Sequence, residues 1–208
     1  MKRPPPPGEV RIIGGQWRRS KLAVADRPGL RPTPDRVRET LFNWLGQDLS
    51  GWRVLDAFAG SGALGFEAAS RGAAEVLLIE RDAELASRLS RAAERLQATM
   101  LRVLVADAIG WMSRARPAAF DLVLLDPPFG AGQHEPAVRL AAPLLAPQGW
   151  LYVREKSRSN QHAGRTFHRR KSTESLAPTR ASGTNKLPSG AFSDGAYQGA
   201  ASPRPPLL

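Results

Sequence analysis

Four consecutive residues, Asp126-Pro127-Pro128-Phe129, put a carboxylate, two ring-locked backbones and an aromatic side chain directly after the apolar run Leu122-Val123-Leu124-Leu125. That run reads as a buried strand, so the four residues stand at a strand's C-terminal end. Asp126 and Pro127 each precede a proline and are driven to extended backbone. Neither proline carries an N–H, so the loop presents acceptors rather than donors. The nearest are the Asp126 carboxylate and the Pro127 carbonyl. An exocyclic amino group on a nucleobase can donate one hydrogen to each. That draws its nitrogen lone pair out of ring conjugation and aims it at an electrophile. Phe129 is placed to stack on such a base, a contact worth about 1–3 kcal/mol. These residues suit group transfer to an amine; alone, they also fit a proline-stiffened turn.

A second constellation lies upstream. The apolar run ending Val54-Leu55-Asp56 is followed by Ala57-Phe58-Ala59-Gly60-Ser61-Gly62-Ala63-Leu64-Gly65, and Glu80 comes 20 residues after Gly60. Gly60, Gly62 and Gly65 satisfy the glycine spacing of a nucleotide-binding turn between strand and helix. An acidic residue at that distance can hold both ribose hydroxyls. The pattern alone equally fits a dinucleotide-dependent oxidoreductase. Asp56 favours a different ligand: a carboxylate before the loop repels a pyrophosphate but suits the ammonium end of S-adenosylmethionine. Asp107 stands where an acid can accept an adenine amino group, and also where it would cap the helix beginning at Ala108.

Elements that position these groups follow from the patterning. Strands are expected at 52–56, 75–80, 101–105, 120–125 and 149–153, with helices between them at about 63–71, 82–97, 108–114 and 133–146. Alternating strands and helices predict an α/β Rossmann-like fold, a mostly parallel sheet with helices on both faces and right-handed crossovers. Upstream, Gly14-Gly15 between short β-prone pieces is a hairpin signal. Thr33 suits a helix N-cap and Pro34 the first helical position. The helix they open would run to about Leu49 with Val37, Leu41, Trp44 and Leu45 on its apolar face. The domain organisation expected is a disordered leader over 1–9, a hairpin-plus-helix extension over 10–49, a core over 50–153 and a basic, disordered tail over 154–208.

The net charge of +11 is unevenly distributed. Residues 1–49 carry +5, residues 50–153 carry −1 and residues 154–208 carry +7. Basic arms around a near-neutral core favour a polyanion, with binding that weakens steeply in salt. In the N-terminal arm, Arg11, Arg18, Arg19 and Lys21 surround Trp17, a mixture suited to phosphate contact and base stacking on RNA. A packed Trp17 fits equally well. For the C-terminal arm a solubilising charge run is the simpler reading. The chain has no Cys, which excludes disulfides and thiolate metal sites and suits a reducing compartment. Its three His have no ligand spacing, so no metal is expected. Neither a signal-peptide core nor an 18-residue apolar run is found, and no membrane association is expected.

Taken together, Asp56 to Gly65, Glu80 and Asp126-Pro127-Pro128-Phe129 resemble the class I S-adenosylmethionine-dependent methyltransferases that modify exocyclic amines. The stretches Arg11-Ile12-Ile13-Gly14-Gly15-Gln16-Trp17-Arg18 and Leu30-Arg31-Pro32-Thr33-Pro34-Asp35-Arg36-Val37-Arg38-Glu39 narrow the likeness. With them, the chain from about Val10 to Val153 is similar to the bacterial 16S ribosomal RNA guanine-N2 methyltransferase family. The resemblance implies a cytoplasmic enzyme, expected to be monomeric, acting on the small ribosomal subunit. It implies catalytic roles for Asp126, Pro127 and Phe129. It puts Asp56, Phe58, Gly60, Gly62, Glu80, Asp107 and Thr33 on the cofactor side. Arg31 and Arg36 join the N-terminal cations and Trp17 on the RNA side.

After Val153 the chain departs from that pattern. A class I methyltransferase follows its fifth strand with a helix and an antiparallel strand pair, whereas residues 154–208 contain no Val, Ile, Met or Trp. This composition buries too little surface to offset chain entropy, and it reads as an altered end. The expectation is an unpaired outer edge on strand 149–153, a liability for stability. Methylation of another amine such as adenine N6, a non-catalytic RNA-binding assembly factor and the oxidoreductase remain the competing readings.

Overall fold

A computed structural model of the chain describes residues 8–25, 27, 33–128 and 132–154, together with the backbone of a strand at Arg165–Arg169. The central strand, β3 (Arg53–Asp56), is buried at all four positions. This is what a parallel strand covered on both faces requires. Around it the sheet runs β5-β4-β3-β6-β7-β8, where β4 is Glu75–Glu80, β5 Leu101–Val105, β6 Phe120–Leu125, β7 Leu145–Arg154 and β8 Arg165–Arg169. Strands β3 to β7 are parallel; β8 pairs antiparallel with β7. The order reverses beside β3, the switch point where an open α/β sheet gapes at its C-terminal edge. Helices α2 (Ala63–Ser70), α3 (Ala83–Arg95), α4 (Ala108–Met112) and α5 (His134–Ala141) make the crossovers.

The N-terminal arm is a layer of the core. Strands β1 (Glu9–Arg11) and β2 (Lys21–Ala23) pair antiparallel, and α1 spans Asp35–Trp44. Val10, Ile12, Leu22, Leu41 and Phe42 are buried with α2 in one apolar cluster. A buried ionic knot ties these pieces together. Glu67 of α2 accepts from Arg38 Nη1 at 2.9 Å, from Arg71 Nη1 at 2.5 Å and from the backbone N–H groups of Ile13 and Gly14. Arg38 also donates to the carbonyls of Thr33 and Arg11 and to Asp35. Both Arg38 and Glu67 side chains are fully buried. Such a pair persists only because nearly every donor and lone pair has a partner.

Several boundaries differ from expectation. Glu9 already belongs to β1, so the arm starts one residue earlier. The hairpin is closed by a long connection, not by Gly14-Gly15; Gly14 instead docks on Glu67, and Gln16 N–H donates to the Ser70 carbonyl. Helix α1 begins at Asp35 with Pro34 as N-cap, because the Thr33 hydroxyl donates elsewhere. It ends at Trp44, whose side chain is exposed. Helix α5 stops at Ala141 before a 3₁₀ turn containing Pro143, which supplies no N–H to continue the ladder. The strand that follows starts at Leu145 and not at Gly149. Its outer edge is paired, contrary to expectation: Trp150 to Arg154 match Arg169 to Arg165. The rest of the leader and tail lies outside the described residues. Among the described residues no helix is long and apolar enough to cross a membrane.

Candidate active site

Asp126 follows β6 directly, and its carboxylate is fixed from two sides. Thr33 Oγ1 donates to Oδ2 at 3.1 Å, and Arg154 Nη1 lies 2.8 Å from the same oxygen. Asp126 and Arg154 are both mostly buried, 17% and 11% exposed. Both partners take Oδ2, and no hydrogen bond to Oδ1 occurs among the described residues. Arg154 is a site residue that motif reading missed. The signal was present: β6 and β7 are parallel neighbours with Leu125 opposite Val153, so the next residues, Asp126 and Arg154, must lie side by side. His134 Nε2 lies 3.2 Å from the Arg154 carbonyl and ties the start of α5 to the same corner.

The glycine loop is held by carboxylates. Asp56 Oδ2 accepts the Gly65 N–H at 3.0 Å, and Glu80 bridges Gly60 N and Asp82 N, both at 2.9 Å. Gly62 has φ +74, and a Cβ there would lie 2.6 Å from Leu89 Cδ2. A Cβ on Gly65 would overlap Leu78. The left-handed backbone favours glycine at position 62, and at position 65 the Leu78 side chain would have to shift to admit a Cβ. Asp107 accepts the Gly110 N–H at 2.7 Å and is the N-cap of α4.

These groups line one cleft of about 330 Å³ at the C-terminal edge of the sheet. Of the residues expected to hold a cofactor, Thr33, Asp56, Phe58, Gly60, Glu80 and Asp107 line it, as do Asp126 and Pro127; Gly62 does not. Asp56 is buried, and its Oδ1 makes no hydrogen bond among the described residues. Burial pushes its carboxyl up from 3.8 to about 7, with Asp126 and Glu80 adding repulsion and the Gly65 and Phe58 N–H groups pulling the other way. With Asp82 the lining holds five carboxylates against Arg27, Arg81 and Arg154, so the cleft is a net acidic well that a positively charged ligand would relieve.

The expected RNA residues are less gathered. Arg11, Arg18, Arg19, Lys21 and Arg36 are exposed. Lys21 pairs with Glu9 at 2.7 Å. The Trp17 ring is half-buried against the core, so packing accounts for much of it, and the residue's backbone N–H donates to Ser70 Oγ at 3.0 Å. Phe129 and Arg31 lie outside the described residues. No group of three or more metal-ligating side chains occurs among those described.

Comparison with known proteins bears on what this cleft does. A family model described as conserved hypothetical protein 95 matches residues 10–177. The chain is 47% identical over 144 residues to the ribosomal RNA small subunit methyltransferase D of Escherichia coli K12, covering 69% of this chain and 70% of that protein. It is 38% identical over 172 residues to the Haemophilus influenzae protein of the same name, covering 72% and 89%. The solved structure of Escherichia coli yhhF superposes with a TM-score of 0.70 at 35% identity, over 80% of this chain and 100% of that one.

Proposed function

The chain belongs to the ribosomal RNA small subunit methyltransferase D family, and from that premise we propose that it methylates the exocyclic N2 amine of a guanine in 16S ribosomal RNA, with S-adenosylmethionine as donor. The observation that carries this reading is Asp126: a carboxylate lining a net acidic cleft, its Oδ2 anchored by Thr33 and Arg154. The small ribosomal subunit is the partner, and the cytoplasm is where the chain acts.

The residues present fit the donor. The buried Asp56 Oδ1, without a hydrogen-bond partner among the described residues, suits an ammonium group. Glu80, already fixed by two backbone donors, keeps lone pairs for ribose hydroxyls. Asp107 borders the cleft as an acceptor for an adenine amine. When bound, S-adenosylmethionine supplies an electrophilic methyl group on a positively charged sulfur.

The chain's own groups do the rest. A guanine must leave its stack to bring N2 to the cleft. Asp126 Oδ1 and the Pro127 carbonyl accept the two N2 hydrogens and orient the lone pair. Phe129 stacks on the base. Transfer would break the sulfur–methyl bond and leave neutral S-adenosylhomocysteine; the fixed Asp126 carboxylate would stabilise the positive charge on N2 without reorganising, until N2 gave up one proton to solvent. Thr33 and Arg154 hold that carboxylate in place, and positioning contributes much of the remaining acceleration.

The test uses the full chain. S-adenosylhomocysteine should bind and NAD should not, and labelled methyl should pass to small subunits lacking the modification, with DNA as a control. Tight NAD binding, or transfer to DNA alone, would overturn the reading.

A further inference from the structure

We propose that the groove between β2 and α3 is a second binding site, which takes the phosphodiester backbone of the RNA flanking the methylated nucleotide. The inference rests on reading the protein as an RNA methyltransferase.

The groove has a volume of about 290 Å³ and adjoins the catalytic cleft, since Gly60 and Ser61 line both. Its floor includes Leu22, Leu85 and Leu89, and its walls carry Arg88, Arg91 and Arg95. Spacings of three and four residues put the three arginines on one face of α3. At 1.5 Å per residue, Arg88 and Arg95 stand about 10 Å apart along the helix. Arg88 is neutralised by Glu84 at 2.9 Å. Arg91 has no acidic partner among the described residues. Arg95 gives Nη2 to the Lys21 carbonyl at 2.6 Å, a bond that fixes the side chain without cancelling its charge.

Two neighbouring clefts thus carry opposite signs. The catalytic one is lined by Asp56, Glu80, Asp82, Asp107 and Asp126 against Arg27, Arg81 and Arg154, a net acidic lining that disfavours phosphate. The α3 groove offers guanidinium groups over an aliphatic floor, which suits phosphates with sugars or bases lying between them. An RNA strand is sorted by this contrast, its backbone along α3 and only the target base at Asp126.

The test measures binding of labelled 16S ribosomal RNA across a salt series. Arg91→Gln/Arg95→Gln should lower the slope of log affinity against log salt by about 1.4–1.8, at roughly 0.7–0.9 per phosphate lost, and weaken binding alike across RNA sequences. Arg91→Lys/Arg95→Lys should keep the wild-type slope. Arg114→Gln/Arg116→Gln removes two exposed charges between α4 and β6 that do not line this groove, and should also keep it. S-adenosylhomocysteine binding verifies that each variant folds. An unchanged slope in the Arg91/Arg95 glutamine variant, or an equal drop in the Arg114/Arg116 variant, would overturn the proposal. Failure of the functional reading is distinguishable: the wild-type protein then transfers no methyl to this RNA, and the groove's assignment to substrate falls with it.

Discussion

Asp56 carries the most pH-sensitive consequence of the site. Its carboxyl is raised from 3.8 to about 7, so ionising it opposes folding: its contribution to stability is full below about pH 4 and declines as pH rises to about 7. A cationic ligand reverses the preference and favours the carboxylate. Cofactor affinity should therefore rise with pH up to about 7, and binding near pH 6 should release a proton. Calorimetry in buffers of different ionisation enthalpy detects that proton, and Asp56→Asn should abolish its release. Equal proton counts in both proteins would contradict this account of the well. Arg154 gives a second residue-scale prediction. Its guanidinium anchors Asp126 at 2.8 Å, so Arg154→Ala should reduce kcat about tenfold or more with S-adenosylhomocysteine binding retained. Arg154→Lys should restore part of it, since a point charge replaces a planar fork. A loss that tracks only with KM for RNA would make Arg154 a substrate contact instead.

At the scale of elements, the Glu67 knot joins α1, α2 and the β1–β2 connection. Glu67→Ala removes the buried carboxylate shared by Arg38 and Arg71, leaving Arg38 only the exposed Asp35, and should cost about 3–5 kcal/mol. Urea denaturation measures this as a lower midpoint; a change below about 1 kcal/mol would show that the arm does not depend on the knot. The knot marks the limit of local sequence reading. Arg38 sits at a position that reads as a solvated helix surface, and only long-range packing reveals that it is buried opposite Glu67. Thr33 is a similar case: its hydroxyl has the chemistry of an N-cap but binds Asp126, 93 residues away. By contrast Asp82 and Asp107 cap α3 and α4 as local rules require.

For the molecule as a whole, the parallel sheet, its helices and the cleft at its C-terminal edge were legible, because apolar runs ending in Asp56, Glu80 and Asp126 fix both the strands and the edge where they end. The pairing of β8 was not: Arg165–Arg169 has only Phe167 as a large apolar residue, and its partner strand supplies what its own composition lacks. A chain stopped at Arg154 should accordingly lose thermal stability and scatter light on heating, whereas one stopped at Glu174 should not; identical melting would mean that β7 needs no partner. The central claim is that Asp126 presents a guanine N2 to the methyl donor. The most direct test incubates wild-type and Asp126→Ala proteins with labelled S-adenosylmethionine and small subunits lacking the modification, then identifies the labelled nucleoside. The account predicts N2-methylguanosine from the wild type and at least about 10²-fold less from the variant, with S-adenosylhomocysteine binding retained. Label on adenine N6, or equal transfer by the variant, would contradict it.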